Sequence, residues 1–252
     1  MKQIQIHPDV LSRFPGIGVV EGVVTPLAIT RINPDLERQK ETIAGEIKAR
    51  YTLDTVRDVS IFRAYRDFFW SVGVDPTKTR PASEALVRRI LADKPLPTIN
   101  TAVDAYNLAS AETGIPLAAF DAATLQNGIC MRFARNSEEF LGIGMKSPII
   151  LHENQVVLTD GEGSSPHYEM SRKPGSKEVS DEPIIAVYPF RDSDATKITT
   201  ATTTIYLVAC GIPGIAPEMV EQAYDLALGY LTRYAGAEDT RNTIPTRVKD
   251  QQ

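Results

Sequence analysis

Two hydrophobic periods divide this chain, and they do not alternate. From about residue 54 to 113 apolar residues recur at helical spacing, Val56, Val59, Phe62, Phe69 and Val72 among them. From about 115 to 210 they gather into short β-branched or aromatic runs, and from 217 to 234 helical spacing returns. The patterns predict helices over 54–72, 82–92, 101–113 and 217–234, and strands over 127–133, 148–151, 154–159, 183–190 and 203–209. Residues 17–30 read as a strand interrupted near Gly22, followed by a charged, exposed helix that Asp35 caps and that runs to about Arg50. Helices grouped apart from strands imply an α+β domain, its helices packed on a sheet drawn mainly from 117–210, rather than an alternating parallel α/β fold.

Three polar clusters interrupt the apolar pattern. YRDFFWSVGVDPTKTRP, residues 65–81, runs from a helix into a turn that carries Asp75, Thr77, Lys78, Thr79 and Arg80 between two prolines. Such a turn, held between rigid elements, either forms a site or simply caps its helices. In INTAVDAYNLASAETGIPLAAFD, residues 99–121, Asn100 or Thr101 can cap a helix that stops at Gly114, and Asp104 and Asn107 stand three apart on it. YPFRDSDATKITT, residues 188–200, presents Arg191, Asp192, Ser193, Asp194, Thr196 and Lys197 after a strand. A guanidinium grips a carboxylate or phosphate with two bonds, so Arg80 and Arg191 are candidates for holding an anionic or aminoacyl group. The alternative is that each pairs with an aspartate, Arg80 with Asp104 or Arg191 with Asp160. Arg132, inside ICMRF, alternates away from Met131 and Phe133, so it is either a site residue or solvated surface. Arg88 and Arg89 either touch an RNA backbone or only solubilise their helix. Residues 160–182 form the longest polar stretch, a surface loop or a lid.

Composition excludes several classes. A net charge of −5 argues against a general nucleic-acid binder, though not against a local basic patch. The two cysteines, Cys130 and Cys210, sit far apart in apolar runs and suit buried small hydrophobes in a reducing cytoplasm. His7, His152 and His167 have no metal-ligand spacing, so no metal is expected. There is no Walker loop, no G-x-S-x-G, and the glycines of residues 16–22 precede a strand instead of following one. No cofactor is therefore expected. No run approaches the length of a membrane span, and no secretory leader is visible.

YRDFFW, DPTKTRP, VDAYNLAS, GIPLAAFD and YPFRDSDATKIT, in that order, are similar to the tRNA-editing (B-three/four) module of the phenylalanyl-tRNA synthetase beta subunit, in its free-standing form. The resemblance covers about residues 55–235. It implies a β-sandwich-like core with flanking helices over 54–236, preceded by an extension, 1–53, packed on it, and followed by a frayed tail, 237–252. It implies a tRNA or an aminoacyl group as partner, held by Arg80, Asp104, Asn107, Arg132, Asp160 and Arg191. The chain departs from the family at two places: the family's motif histidine falls on Ala118, which has no donor, acceptor or charge, and the Gly-Gly-rich segment is only loosely replaced by the loop from Asp160 to Ser165. Weak or absent ester hydrolysis is the expectation, with Asp160, Glu162 and His167 the only spare groups to orient water. Three readings follow: an aminoacyl-end binding module, a trans-acting hydrolase of mischarged tRNA, or a non-catalytic structural or small-molecule-binding protein.

Overall fold

A computed structural model describes residues 3–161 and 182–238. Its elements run β1 (Gln5–Ile6), α1 (Pro8–Arg13), β2 (Gly18–Val24), α2 (Pro34–Arg50), α3 (Ser60–Ser71), α4 (Ala82–Leu91) and α5 (Thr101–Thr113). There follow β3 (Leu117–Asp121), β4 (Ile129–Phe133), β5 (Glu139–Phe140), β6 (Ile149–Ile150), β7 (Val156–Asp160), β8 (Ile184–Val187), β9 (Arg191–Asp192), β10 (Ile205–Gly211) and α6 (Pro217–Ala235). This is the α+β arrangement that the segregated periods imply.

The strands form a five-stranded sheet, β1-β4-β7-β8-β9, a three-stranded sheet, β2-β10-β3, and the small β5-β6 pair. Among the described residues all the strand pairings are antiparallel except β1 with β4. Residues before 54 thus enter both larger sheets: Gln5 lies opposite Cys130, and Val23 opposite Tyr206. Tyr188, just after β8, ties the sheets together, its hydroxyl donating to the carbonyl oxygens of Gly211 (2.7 Å) and Gly18 (3.0 Å). Helices α3, α5 and α6 bury aromatic and aliphatic side chains in one shared core that includes Phe62, Tyr65, Phe69, Leu108 and Tyr224.

Local chemistry explains the ends of α5. The Asn100 side chain accepts from the Val103 N–H at 3.0 Å, and Gly114 closes the helix at φ +77°, where a side chain would be strained. Three expectations are corrected. The strand at 17–30 is not interrupted at Gly22, which stays in register opposite Leu207; the chain turns at Thr25–Pro26 instead. Asn33, not Asp35, caps α2, because Pro34 takes the first helical position and the Asn33 side chain accepts from the Asp35 and Leu36 N–H groups. The α2 face is not wholly solvated, since Lys40 is only 5% exposed. Strand β3 is not among the individual strands predicted, although it opens the 117–210 region expected to supply the sheet; it is the partner of β10 across from β2. Most of the polar stretch 160–182, and all of the tail after residue 238, lie outside the described residues.

Candidate functional site

Strand β9, the start of β3 and one face of α5 meet around a cavity of about 270 Å³. Its polar side chains are Tyr106, Asn107, Tyr188, Arg191, Asp192 and Cys210; Ala118, Ile143 and Leu117 belong to its apolar surface. Local bonding sets the geometry. The Phe190 N–H donates to the Val187 carbonyl oxygen at 2.7 Å, turning the chain so that Arg191 pairs back with Val187 and Asp192 with Ala186. Residues 141–143, between β5 and β6, dock on this turn. The Ile143 N–H donates to the Asp192 carbonyl oxygen at 2.9 Å, and Arg191 Nη1 donates to the Ile143 carbonyl oxygen at 3.0 Å. The approach is close because residue 142 is glycine: a Cβ there would lie 2.4 Å from Arg191 Cδ.

The Arg191 guanidinium lies 5.0 Å from the centre of the Phe190 ring, which packs at right angles to the Phe69 ring of α3. Among the described residues its one hydrogen bond is that to Ile143, which leaves donors free for a ligand. The Asn107 amide has no hydrogen-bond partner there. Asp192 accepts from the Ala119 N–H, and burial pushes its carboxyl up to about 7. Burial also raises the Tyr106 phenol and the Cys210 thiol, the Asp192 charge adding to both. A smaller apolar space of about 80 Å³, lined by Phe69, Val74, Thr79 and Ile149, shares Val187, Tyr188 and Phe190 with this cavity.

The structure thus brings Asn107 and Arg191 together and places the other sequence candidates elsewhere. Asp104 is 2% exposed, accepting from Lys40 Nζ at 3.0 Å and from the Ile99 N–H at 2.9 Å, so it is not Arg80's partner. Arg132 is not solvated surface: it is 4% exposed and forms a two-pronged pair with Glu138, at 2.7 and 2.9 Å. Asp160 accepts from the Gln126 and Asn127 N–H groups at 2.9 and 2.8 Å and does not pair with Arg191. Arg80 is exposed on its turn, its side chain without a polar partner among the described residues. Within that turn Asp75 caps Thr77, whose N–H and hydroxyl both donate to Asp75 Oδ1, at 2.8 and 2.6 Å. Arg88 and Arg66 share the fully buried Glu84, and Arg89 donates to the Pro95 carbonyl oxygen, so neither Arg88 nor Arg89 is merely a solubilising group. Glu162 and His167 lie outside the described residues.

Sequence reasoning missed Tyr106 and Asp192 as site residues. Both sit inside clusters it singled out, but nothing local says which polar side chain in a cluster faces a cavity. No group of His, Cys, Asp and Glu among the described residues could hold a metal, and no helix there is long and apolar enough to cross a membrane.

The profile of the B3/4 domain matches residues 64–236, well over half of the chain. The chain belongs to the B3/4 domain family. A phenylalanine–tRNA ligase beta subunit from Aster yellows witches'-broom phytoplasma (strain AYWB) is 28% identical over 178 residues, covering 63% of this chain and 21% of that protein. The B3/4 chain therefore spans about a fifth of that relative. An N-terminal fragment of the phenylalanyl-tRNA synthetase beta subunit from Pyrococcus horikoshii superposes with a TM-score of 0.45 at 13% identity, over 94% of this chain and 52% of that one. Ala118 borders the cavity and is 8% exposed.

Proposed function

We propose that this B3/4 domain binds the aminoacyl end of a tRNA in the cavity between α5, β3 and β9. The observation that carries the reading is the pairing of Arg191 and Asn107, both with unused donors, around a space that the family's motif position, Ala118, also borders. A carbonyl or phosphate oxygen meets the guanidinium and the amide, while Leu117, Ile143 and Tyr188 surround an apolar side chain. The family and the phenylalanine–tRNA ligase relative support this choice of ligand. Hydrolysis in trans needs a group to orient water. Ala118 offers none, and the Asp160 carboxylate is already held by two backbone N–H groups.

The test is binding of labelled tRNA, charged and uncharged, across a range of salt concentrations, with a deacylation panel alongside. Charged tRNA should bind more tightly than uncharged, and Arg191→Ala and Asn107→Ala should remove most of that difference. With a net charge of −5 there is little long-range attraction, and about three phosphate contacts should give a log–log salt slope of roughly −2 to −3. Unchanged binding of charged tRNA by both variants would refute the reading. Rapid hydrolysis of one mischarged tRNA would replace it with the hydrolase.

A further inference from the structure

Among the described residues the buried carboxylates Glu21, Glu84, Asp104 and Asp160 are each met by cations or by several donors, whereas Asp192, half-buried at the cavity, is not. Glu84 has Arg66 and Arg88, and Asp104 has Lys40. Glu21 accepts from the Ile4 N–H and the Tyr206 hydroxyl, and Asp160 from two backbone N–H groups. Asp192 has the Ala119 N–H alone. The groups close enough to feel its charge are the Tyr106 phenol on α5 and the Cys210 thiol on β10, neither of them cationic. Tyr188 and Asn107 border the same space and add no charge. Among the described residues the one cation bordering the cavity, Arg191, is turned to the Ile143 carbonyl and the Phe190 ring and does not hold the Asp192 carboxyl down. A half-buried carboxylate that borders a cavity without a counter-charge becomes costly once a ligand displaces the water around it, and a ligand cation would offset that cost.

We propose that Asp192 is the anchor for a ligand ammonium group, so that the cavity selects a primary amine with an apolar body. Resting on the reading above, this assigns Asp192 to the α-amino group of the aminoacyl moiety and leaves Asn107 and Arg191 for its carbonyl. The pair forms only when the carboxyl has lost its proton and the amine has kept its own. In the free protein Asp192 titrates at about 7, and an α-amino group titrates near about 7.7–8.0. Affinity therefore peaks between these values. It falls below them as Asp192 is protonated and above them as the amine becomes neutral.

The probes are the amides of L-leucine and L-phenylalanine and their N-acetylated counterparts, titrated calorimetrically into the wild-type chain, Asp192→Asn and Arg191→Ala. The Asp192→Asn side chain would keep an acceptor for the Ala119 N–H, and thermal melts check that the variant folds. At pH 7.5 N-acetylation should weaken wild-type binding at least about tenfold. Asp192→Asn should weaken the free amines by a similar factor and change the N-acetyl probes less than about twofold. From pH 7.5 to 5.5 wild-type affinity for the free amines should fall about 20-fold, following the ionised fraction of a carboxyl that titrates near 7. Equal binding of amine and N-acetyl probes, or an unaffected Asp192→Asn, overturns the ammonium anchor. The cavity reading survives that result if Arg191→Ala still weakens both probe types. If no probe binds, the anchor is overturned, and the effect of Arg191→Ala on charged tRNA decides the cavity reading separately.

Discussion

Lys40→Met should remove the counter-ion that lets α5 carry Asp104 inside the protein. Lys40 Nζ lies 2.7 Å from Glu37 Oε1, 2.9 Å from the Pro97 carbonyl oxygen, 3.2 Å from Thr98 Oγ1 and 3.0 Å from Asp104 Oδ2. Burial already pushes the Asp104 carboxyl above its usual range, with the Ile99 N–H and Lys40 pulling it back. Without Lys40 the cheapest outcome is for Asp104 to take up a proton. An unfolded aspartate titrates near about 3.9, so neutralising it at pH 7 costs about three pH units at roughly 1.4 kcal/mol each, or about 4 kcal/mol. That ceiling agrees with the roughly 3–5 kcal/mol lost when one partner of a buried pair is removed, and it corresponds to a fall in Tm of roughly 8–16 °C for a chain of this size. The sign with pH follows. A folded-state pKa raised above the unfolded value favours the folded state as pH falls, so the deficit at pH 5 should shrink to about 1.5 kcal/mol. Asp104→Asn should cost less than Lys40→Met, because Lys40 keeps Glu37 and two neutral oxygens, and the double variant should recover most of the loss. Urea denaturation at pH 7 and pH 5 measures all four proteins. A loss under about 1 kcal/mol at pH 7, or a loss that does not change with pH, would refute the reasoning.

Gly142→Ala would put its Cβ 2.4 Å from Arg191 Cδ and 2.9 Å from Phe140 Cε1, so it should displace the guanidinium. Affinity for charged tRNA should drop several-fold while stability falls by no more than about 1–3 kcal/mol, as binding titrations and melts would show. Burial raises both thiols, Cys130 up to about 11 and Cys210 further. The native chain should therefore resist iodoacetamide at pH 8 while the urea-unfolded chain takes up two labels, counted by mass spectrometry.

Where periodicity and capping chemistry agree, the elements were legible: α5 lies between Asn100 and Gly114 where the residues place it. Strand β3 was not, because LAAFD has no β-branched residue and three of its five residues favour helices; it is a strand because β10 offers Ala119 a place opposite Leu207. The polar clusters were legible as clusters, but their directions were not. Asp104 and Asn107 stand three apart, yet α2 brings Lys40 to the first while the second faces the cavity. Strand alternation put Arg132 on the outer face of β4, and Glu138 folds back over that face and buries it. The same argument applies most sharply at β9. Arg191 and Asp192 are adjacent, of opposite charge, and border one cavity, so a local reading would pair them or treat them alike. What separates them comes mostly from far away in the chain: the Ile143 carbonyl, together with the neighbouring Phe190 ring, takes up the cation, while α5 and β10 bring the anion a phenol and a thiol and no counter-charge. The need for a ligand cation at Asp192 is therefore a property of the packing, and replacing Arg191 should weaken the binding of acylated and free amines alike, whereas replacing Asp192 should weaken only the free amines.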